Sequence, residues 1–114
     1  MISVNFFTLL NYLETPIEDG KIIDLINLFY YDDSYEDKLS LESRKIFDRT
    51  YGKCYYFYIL DGDKEIFGFG NFHSNNEFER RIKVPVFNKD LDIVLNPTQY
   101  YKLKDKDLGR CEIE

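Results

Sequence analysis

The chain has 114 residues, of which 21 are acidic and 15 are basic, giving a formal net charge of −6 at neutral pH. This length fits one domain with a hydrophobic core, and the negative charge disfavours general nucleic-acid binding. Ten Tyr and ten Phe accompany no Ala and no Trp, and residues with A/T-rich codons are frequent, which indicates an AT-rich genome such as that of a low-GC bacterium or its phage. We therefore expect residues 1–114 to form one domain.

The N-terminal segment is apolar but interrupted. Asn5, Asn11 and Glu14 break it, and no Lys or Arg precedes it. It predicts neither a secretory signal nor a membrane span, so we expect a cytoplasmic protein without a membrane partner. Residues 2–7 alternate in a way that fits a strand as well as a helix, and the sequence leaves that choice open.

Two helices are predicted in the first half of the chain. The run Thr15-Pro16-Ile17-Glu18 has a capping residue, a proline suited to the first helical position and an acid three residues after the cap, so we expect the first helix to begin here. It should end near Asp32-Asp33-Ser34, and a second helix should run from about Tyr35 to Thr50, with Gly52 as its stop. The first helix should bury a stripe at helical spacing, formed by Ile22, Leu25, Ile26 and Phe29.

Two hairpins are predicted in the second half. The β-prone segments 53–60 and 64–70 flank the turn Asp61-Gly62-Asp63. Segments 81–86 and 91–96 alternate between apolar and polar residues around an expected turn at Asn88-Lys89, so this hairpin should have one wet face. Pro85 indicates an edge strand or a bulge.

Helices followed by strands predict an α+β fold, in which N-terminal helices pack on an antiparallel sheet of four or slightly more strands from the C-terminal half. No linker or repeat divides the chain. The charged tail 102–114 is expected to fray or to add a short strand near Cys111.

No catalytic motif accompanies the few reactive side chains. His73 is the single histidine, and we expect it in a solvated polar loop. Cys54 and Cys111 stand far apart, outside any disulfide, metal or nucleophile pattern. The sequence therefore predicts no catalytic residue and no cofactor.

The acids after Asp32 invite comparison with a calcium-binding loop. Asp32, Ser34 and Glu36 match its first ligand positions, but Asp37 stands where the loop needs glycine and Ser43 where it needs the closing glutamate. We therefore predict no metal site.

Negative charge is concentrated in one segment. Residues 14–37 contain eight acids and one lysine, a net charge of −7, whereas the rest of the chain has a net charge of +1. Such a segment repels phosphate, so we expect no direct nucleic-acid binding, but it suits a basic protein surface. If the first helix keeps its phase to its end, Tyr31 is exposed beside these acids.

Tyrosine is favoured at protein interfaces because it combines a large rigid ring with a polar tip. We therefore predict a partner-binding surface made of the following tyrosines and acids: Asp24, Tyr30, Tyr31, Asp32, Asp33, Tyr35, Glu36 and Asp37. A helix end whose tyrosines pack on the sheet while its acids are merely solvated is the simpler alternative.

These features favour a small acidic inhibitor that masks a basic, often nucleic-acid-binding, surface of a larger protein. Toxin-immunity and phage counter-defence proteins act in this general style, and a nuclease is one such partner. The alternative function is a non-catalytic oligomeric or structural module of phage or bacterial origin, for instance a homodimer formed through the aromatic sheet. A third alternative is an enzyme whose site is assembled from scattered acids, with His73 as a candidate member.

Overall fold

A computed structural model describes residues 6–52, 55–70, 79–87 and 89–97 of the chain. Its helices and strands, in chain order, are α1 (Phe6–Glu14), β1 (Pro16–Ile17), β2 (Gly20–Lys21), α2 (Ile22–Tyr31), a 3-10 helix (Asp33–Tyr35), α3 (Glu36–Tyr51), β3 (Tyr55–Asp61), β4 (Lys64–Gly70), β5 (Arg80–Val86) and β6 (Lys89–Pro97). The α+β prediction is confirmed. The predictions for His73, Cys54, Cys111 and the tail 102–114 fall outside the described residues.

The four long strands form one antiparallel sheet in the order β4-β3-β6-β5. The hairpins β3–β4 and β5–β6 therefore meet through the central strands β3 and β6, where Leu60 pairs with Asp92. Because these two strands are antiparallel, the turn after Asp61 and the turn before Lys89 lie at the same end of the sheet. Pro85 lies on the edge strand β5, as predicted.

The helices cover one face of this sheet. The predicted stripe of α2 is buried, and Phe29 packs against Phe67 of β4 with ring centroids 5.4 Å apart. At the centre, the Tyr12 ring of α1 lies 4.8 Å from that of Phe47 in α3 and 5.1 Å from that of Phe57 in β3. Aromatic rings therefore share the space between the helix layer and the sheet with aliphatic side chains such as Leu25 and Ile59, which accounts for part of the unusual composition.

The predicted start of the first helix at Thr15 is wrong. The Thr15 hydroxyl donates a hydrogen bond to the Asn11 carbonyl, 2.8 Å away at the end of α1. Residues 16–17 then pair with residues 20–21 in a short hairpin, where Gly20 has a φ of 143° that a right-handed helix does not allow. Helix α2 begins only at Ile22, and the Asp24 carboxylate accepts the Lys21 backbone N–H at 2.9 Å.

A helix that was not predicted with certainty, α1, precedes the short hairpin. Helix α1 includes Phe6 and Phe7, so the choice between strand and helix is settled for these two residues, while residues 2–5 lie outside the described ranges. The second predicted helix is confirmed as α3, with Leu39 and Phe47 buried and Gly52 following its end at a φ of 64°. No helix in the described part of the chain is long and apolar enough to cross a membrane.

Two details of the second hairpin differ from the prediction. Lys89 already pairs with Val86, so the turn begins at Phe87, one residue earlier than expected. The face of this hairpin that was expected to be exposed to solvent is also partly covered, because Val94 and Asn96 are buried. Strand β6 is central, and Val94 lies between Tyr58 of β3 and Arg81 of β5 in the register, so long side chains on both sides shield it from water.

Candidate functional site: an exposed aromatic pair and its cleft

Two exposed aromatic side chains from distant parts of the sequence touch each other. Tyr31, the last residue of α2, is 64% exposed, and Phe87, in the turn after β5, is 63% exposed. Their ring centroids are 4.2 Å apart and the ring planes are almost perpendicular, at 87°. The exposure of Tyr31 confirms the predicted helix phase, and together the two rings form a prominent apolar spot on the surface.

Phe87 also has an unfavourable backbone conformation. Its φ is 60°, and no other residue except glycine has a positive φ among the described residues. This left-handed region costs an L-residue with a β-carbon about 1–2 kcal/mol, so turns usually place Gly, Asn or Asp there. A bulky apolar ring in this position is therefore unfavourable for both backbone and solvation, which is a feature that often marks a functional site.

A cleft lies beside the ring of Tyr31. It is open to solvent, has a volume of about 550 Å³ and is lined by Phe29, Tyr30, Tyr31, Asp33, Asp61, Lys64, Glu65 and Ile66. We call it the aromatic cleft. The C-terminal end of α2 supplies its aromatic wall, the 3-10 helix supplies Asp33, and the β3–β4 turn region supplies the remaining polar side chains. Three carboxylates and one ammonium group line it.

One wall of the cleft already holds a cation from the chain itself. Lys89 Nζ lies 3.1 Å from both carboxylate oxygens of Asp61 and 5.7 Å from the centre of the Tyr30 ring. The Tyr30 hydroxyl in turn donates to Asp61 Oδ2 at 3.3 Å. The Tyr30 hydroxyl and the Asp61 carboxylate raise the pKa of Lys89, so its ammonium group stays charged.

The other predicted site residues are distributed more widely. Asp32 follows Tyr31 as the C-terminal cap residue of α2, and its Oδ1 accepts the Ser34 backbone N–H at 3.0 Å. The Ser34 side chain, first, and the Ser34 backbone N–H both form hydrogen bonds with the Asp32 carboxylate and lower its pKa. Tyr35 is half-buried against the core and therefore contributes to packing.

Like Asp32, three further predicted acids do not line the cleft. Glu36 and Asp37 are exposed in the first turn of α3, where carboxylates interact favourably with the helix dipole. Asp24 caps the N-terminal end of α2, about 10 Å of helix rise away from Tyr31. The structure therefore brings Tyr30, Tyr31 and Asp33 together in the cleft.

Sequence reasoning missed Phe87, Asp61, Lys64 and Glu65 as members of this site. Their contribution depends on both hairpin turns lying at the same end of the sheet as the C-terminus of α2. One signal was present in the sequence, since an apolar aromatic residue such as Phe87 is unusual where a hairpin turns.

The arrangement suits binding of a cationic group between carboxylates and aromatic faces. Within the described ranges, no three His, Cys, Asp or Glu side chains are grouped so that they could hold a metal ion. Comparisons of the chain with protein-family models, with curated proteins and with solved structures find no match.

Proposed function

We propose that this protein is a small acidic inhibitor that binds a larger protein and masks its basic, often nucleic-acid-binding, surface. The observation that carries the proposal is the exposed Tyr31–Phe87 pair, in which Phe87 is held at a φ of 60°. Folding alone gives no reason to keep a large ring in water on a strained backbone, whereas an interface gains the burial of both rings.

Charge supports a basic partner. Carboxylates line the cleft beside Tyr31, and Asp32, Asp33, Glu36 and Asp37 are all exposed. In the described part of the chain, the side chains of Asp33, Glu36 and Asp37 form no ion pair with a cation of their own. Unpaired exposed carboxylates attract a positively charged surface over distance and speed the encounter, while the rings supply short-range contact.

The alternative of a homodimeric or structural module is favoured by a different surface. A groove of about 450 Å³ between the helices and the edge strand β5 is lined largely by apolar side chains, including Leu10, Leu13 and Ile82. The same edge carries exposed Lys83 and Pro85, and proline has no N–H to donate to an added strand. Because these residues oppose edge-to-edge pairing, we favour the heteromeric inhibitor.

A panel of purified basic proteins, including nucleases and other nucleic-acid-binding enzymes, tests the proposal. We expect at least one to form a complex that weakens with added salt and loses its nucleic-acid-dependent activity in that complex. The double variant Tyr31→Ala/Phe87→Gly should abolish the complex.

Leu41→Ala is the matched control for this double variant. Leu41 is an exposed apolar residue of α3, 56% exposed, and it does not line the aromatic cleft. A complex that forms equally well with both variants, or a homodimer that is insensitive to salt and binds none of the panel, contradicts the proposed function.

A further inference from the structure

We propose that the aromatic cleft receives an arginine side chain of the partner protein. This inference rests on the proposed function, since it names the group that the acidic, aromatic surface recognises. Its first basis is charge complementarity, because Asp33, Asp61 and Glu65 line the cleft together with Lys64, and the balance among these described residues stays negative even with Lys89 paired to Asp61. A cationic side chain is therefore the occupant that this lining attracts.

The chain's own lysine shows how the cleft wall holds a cation. Lys89 combines an ion pair to Asp61 with a position over the Tyr30 ring, which is the pairing of carboxylate and aromatic face that an incoming cation would use. Lys89 approaches from strand β6 and does not line the cleft itself. The cleft also contains a second carboxylate, Asp33, and a second ring, Tyr31. A cation of the partner would bind to these two side chains.

Geometry favours a guanidinium over an ammonium group in that remaining position. The rings of Tyr30 and Tyr31 are 5.4 Å apart and perpendicular, at 88°, so together they present a corner with one ring face and one ring edge. A planar guanidinium stacks on an aromatic face while its N–H fork still reaches a carboxylate, whereas an ammonium group is a strongly hydrated point charge. Asp33 lines the same cleft as both rings and supplies that carboxylate.

Two short peptides distinguish arginine recognition from simple charge attraction. One alternates glycine with arginine, and the other alternates glycine with lysine at the same length and charge. Titration of each peptide into the full-length protein, followed by NMR and calorimetry, should show that the arginine peptide binds about two- to five-fold more tightly than the lysine peptide.

Variants of the cleft assign this preference to named side chains. Tyr31→Leu and Asp33→Asn should each remove the preference for arginine, while Tyr31→Phe keeps the ring and should retain it. Lys64→Met removes the one cation that lines the cleft and should strengthen the binding of both peptides.

The results separate this inference from the proposed function. Equal binding of the two peptides overturns the arginine site, as does an arginine preference that survives both Tyr31→Leu and Asp33→Asn. Either outcome leaves the masking of a basic partner intact if the salt-sensitive complex with the protein panel still forms. Failure of that complex, with the peptide preference retained, contradicts the proposed function and not the arginine site.

Discussion

The hydroxyl of Tyr12 in α1 lies 2.7 Å from Oγ of Ser43 in α3, and both side chains are buried. Burial raises the pKa of the Tyr12 phenol well above its usual value, so the hydroxyl stays protonated at any physiological pH. This hydrogen bond joins two helices inside the hydrophobic core. Since neither group reaches water, each depends on the other for its hydrogen bond.

We predict that Ser43→Ala lowers the free energy of unfolding by about 1–3 kcal/mol, because it leaves the Tyr12 hydroxyl buried without this partner. Tyr12→Phe should lower the free energy of unfolding by a similar amount, because it leaves the buried Ser43 hydroxyl without its partner. The double variant removes both polar groups and should therefore be less destabilised than the sum of the single variants. Urea denaturation of the four proteins measures this, and strictly additive losses would contradict it.

The second prediction concerns the strain at Phe87. Phe87→Gly relieves a backbone cost of about 1–2 kcal/mol and loses a ring contact worth about 0.5–1.5 kcal/mol, so these changes nearly cancel. We expect the free energy of unfolding to change by less than about 1 kcal/mol while partner binding is lost. Thermal and urea melts, together with calorimetric binding, provide the measurement.

Tyr31→Ala is the comparison variant for this prediction. It removes the same ring contact but leaves the strained φ of 60° at Phe87, so it should be less stable than Phe87→Gly. If Phe87→Gly instead proves strongly destabilised, Phe87 is a structural residue and the central observation behind the proposed function loses its force.

Local periodicity predicted most of the fold. The buried stripe of α2, including Ile22 and Phe29, follows from apolar residues spaced for one helical face, and the turn at Gly62 follows from its flanking β-prone runs. Thr15 was misassigned because a threonine followed by proline fits a helix start as well as a loop. The positive φ of Gly20, a consequence of the hairpin that it closes, decides between the two.

The site was only partly predictable, because the residues that form it are far apart in the sequence. Tyr31 could be recognised as exposed because helix phase is a local property. Its contact with Phe87 depends on how α2 lies across the sheet, and Asp61 reaches the same place only through the pairing of β3 with β6. Such long-range placement arises from packing of the whole core, which residue spacing does not encode.

The third prediction is a pH dependence of stability at Asp92. Lys83 Nζ lies 3.0 Å from Asp92 Oδ1, and Arg81 Nη1 lies 3.1 Å from Oδ2. The hydrogen bond from Lys83 makes the largest contribution to lowering the pKa of Asp92 in the folded protein. The charge of Lys83 and the hydrogen bond and charge of Arg81 lower it further. The stabilisation is therefore fully present above the unfolded-state pKa of about 4 and is lost as the pH falls through the lower folded-state value.

Asp92→Asn should therefore destabilise the protein at pH 7, by about 1 kcal/mol because both cations are largely exposed and solvent screens the pairs. The difference between the variant and the parent protein should shrink as the pH is lowered below about 4. Urea denaturation of both proteins across this range provides the test. A difference that is the same in acid as at neutral pH would mean that packing, not charge, determines it.

The fourth prediction concerns the rate at which the partner binds. Reversing Asp32, Asp33, Glu36 and Asp37 to Lys should slow association by at least about tenfold at low salt, because steering of a basic surface depends on these exposed carboxylates. The fold should persist, with a modest loss of stability. The Asp32 carboxylate accepts the Ser34 N–H. Glu36 and Asp37 favour the start of α3, each by about 0.3–1 kcal/mol.

A pair of double variants separates the position of the charge from its amount. Asp32→Lys/Asp33→Lys and Glu18→Lys/Asp19→Lys change the net charge equally, but the second pair lies in the turn between β1 and β2, away from the aromatic cleft. Stopped-flow association at several salt concentrations should show the larger decrease for the first pair, and the two rates should converge as salt screens the charges. Equal rates for the two variants at low salt would mean that only net charge matters, and the acidic surface beside Tyr31 would then have no special part in recognition.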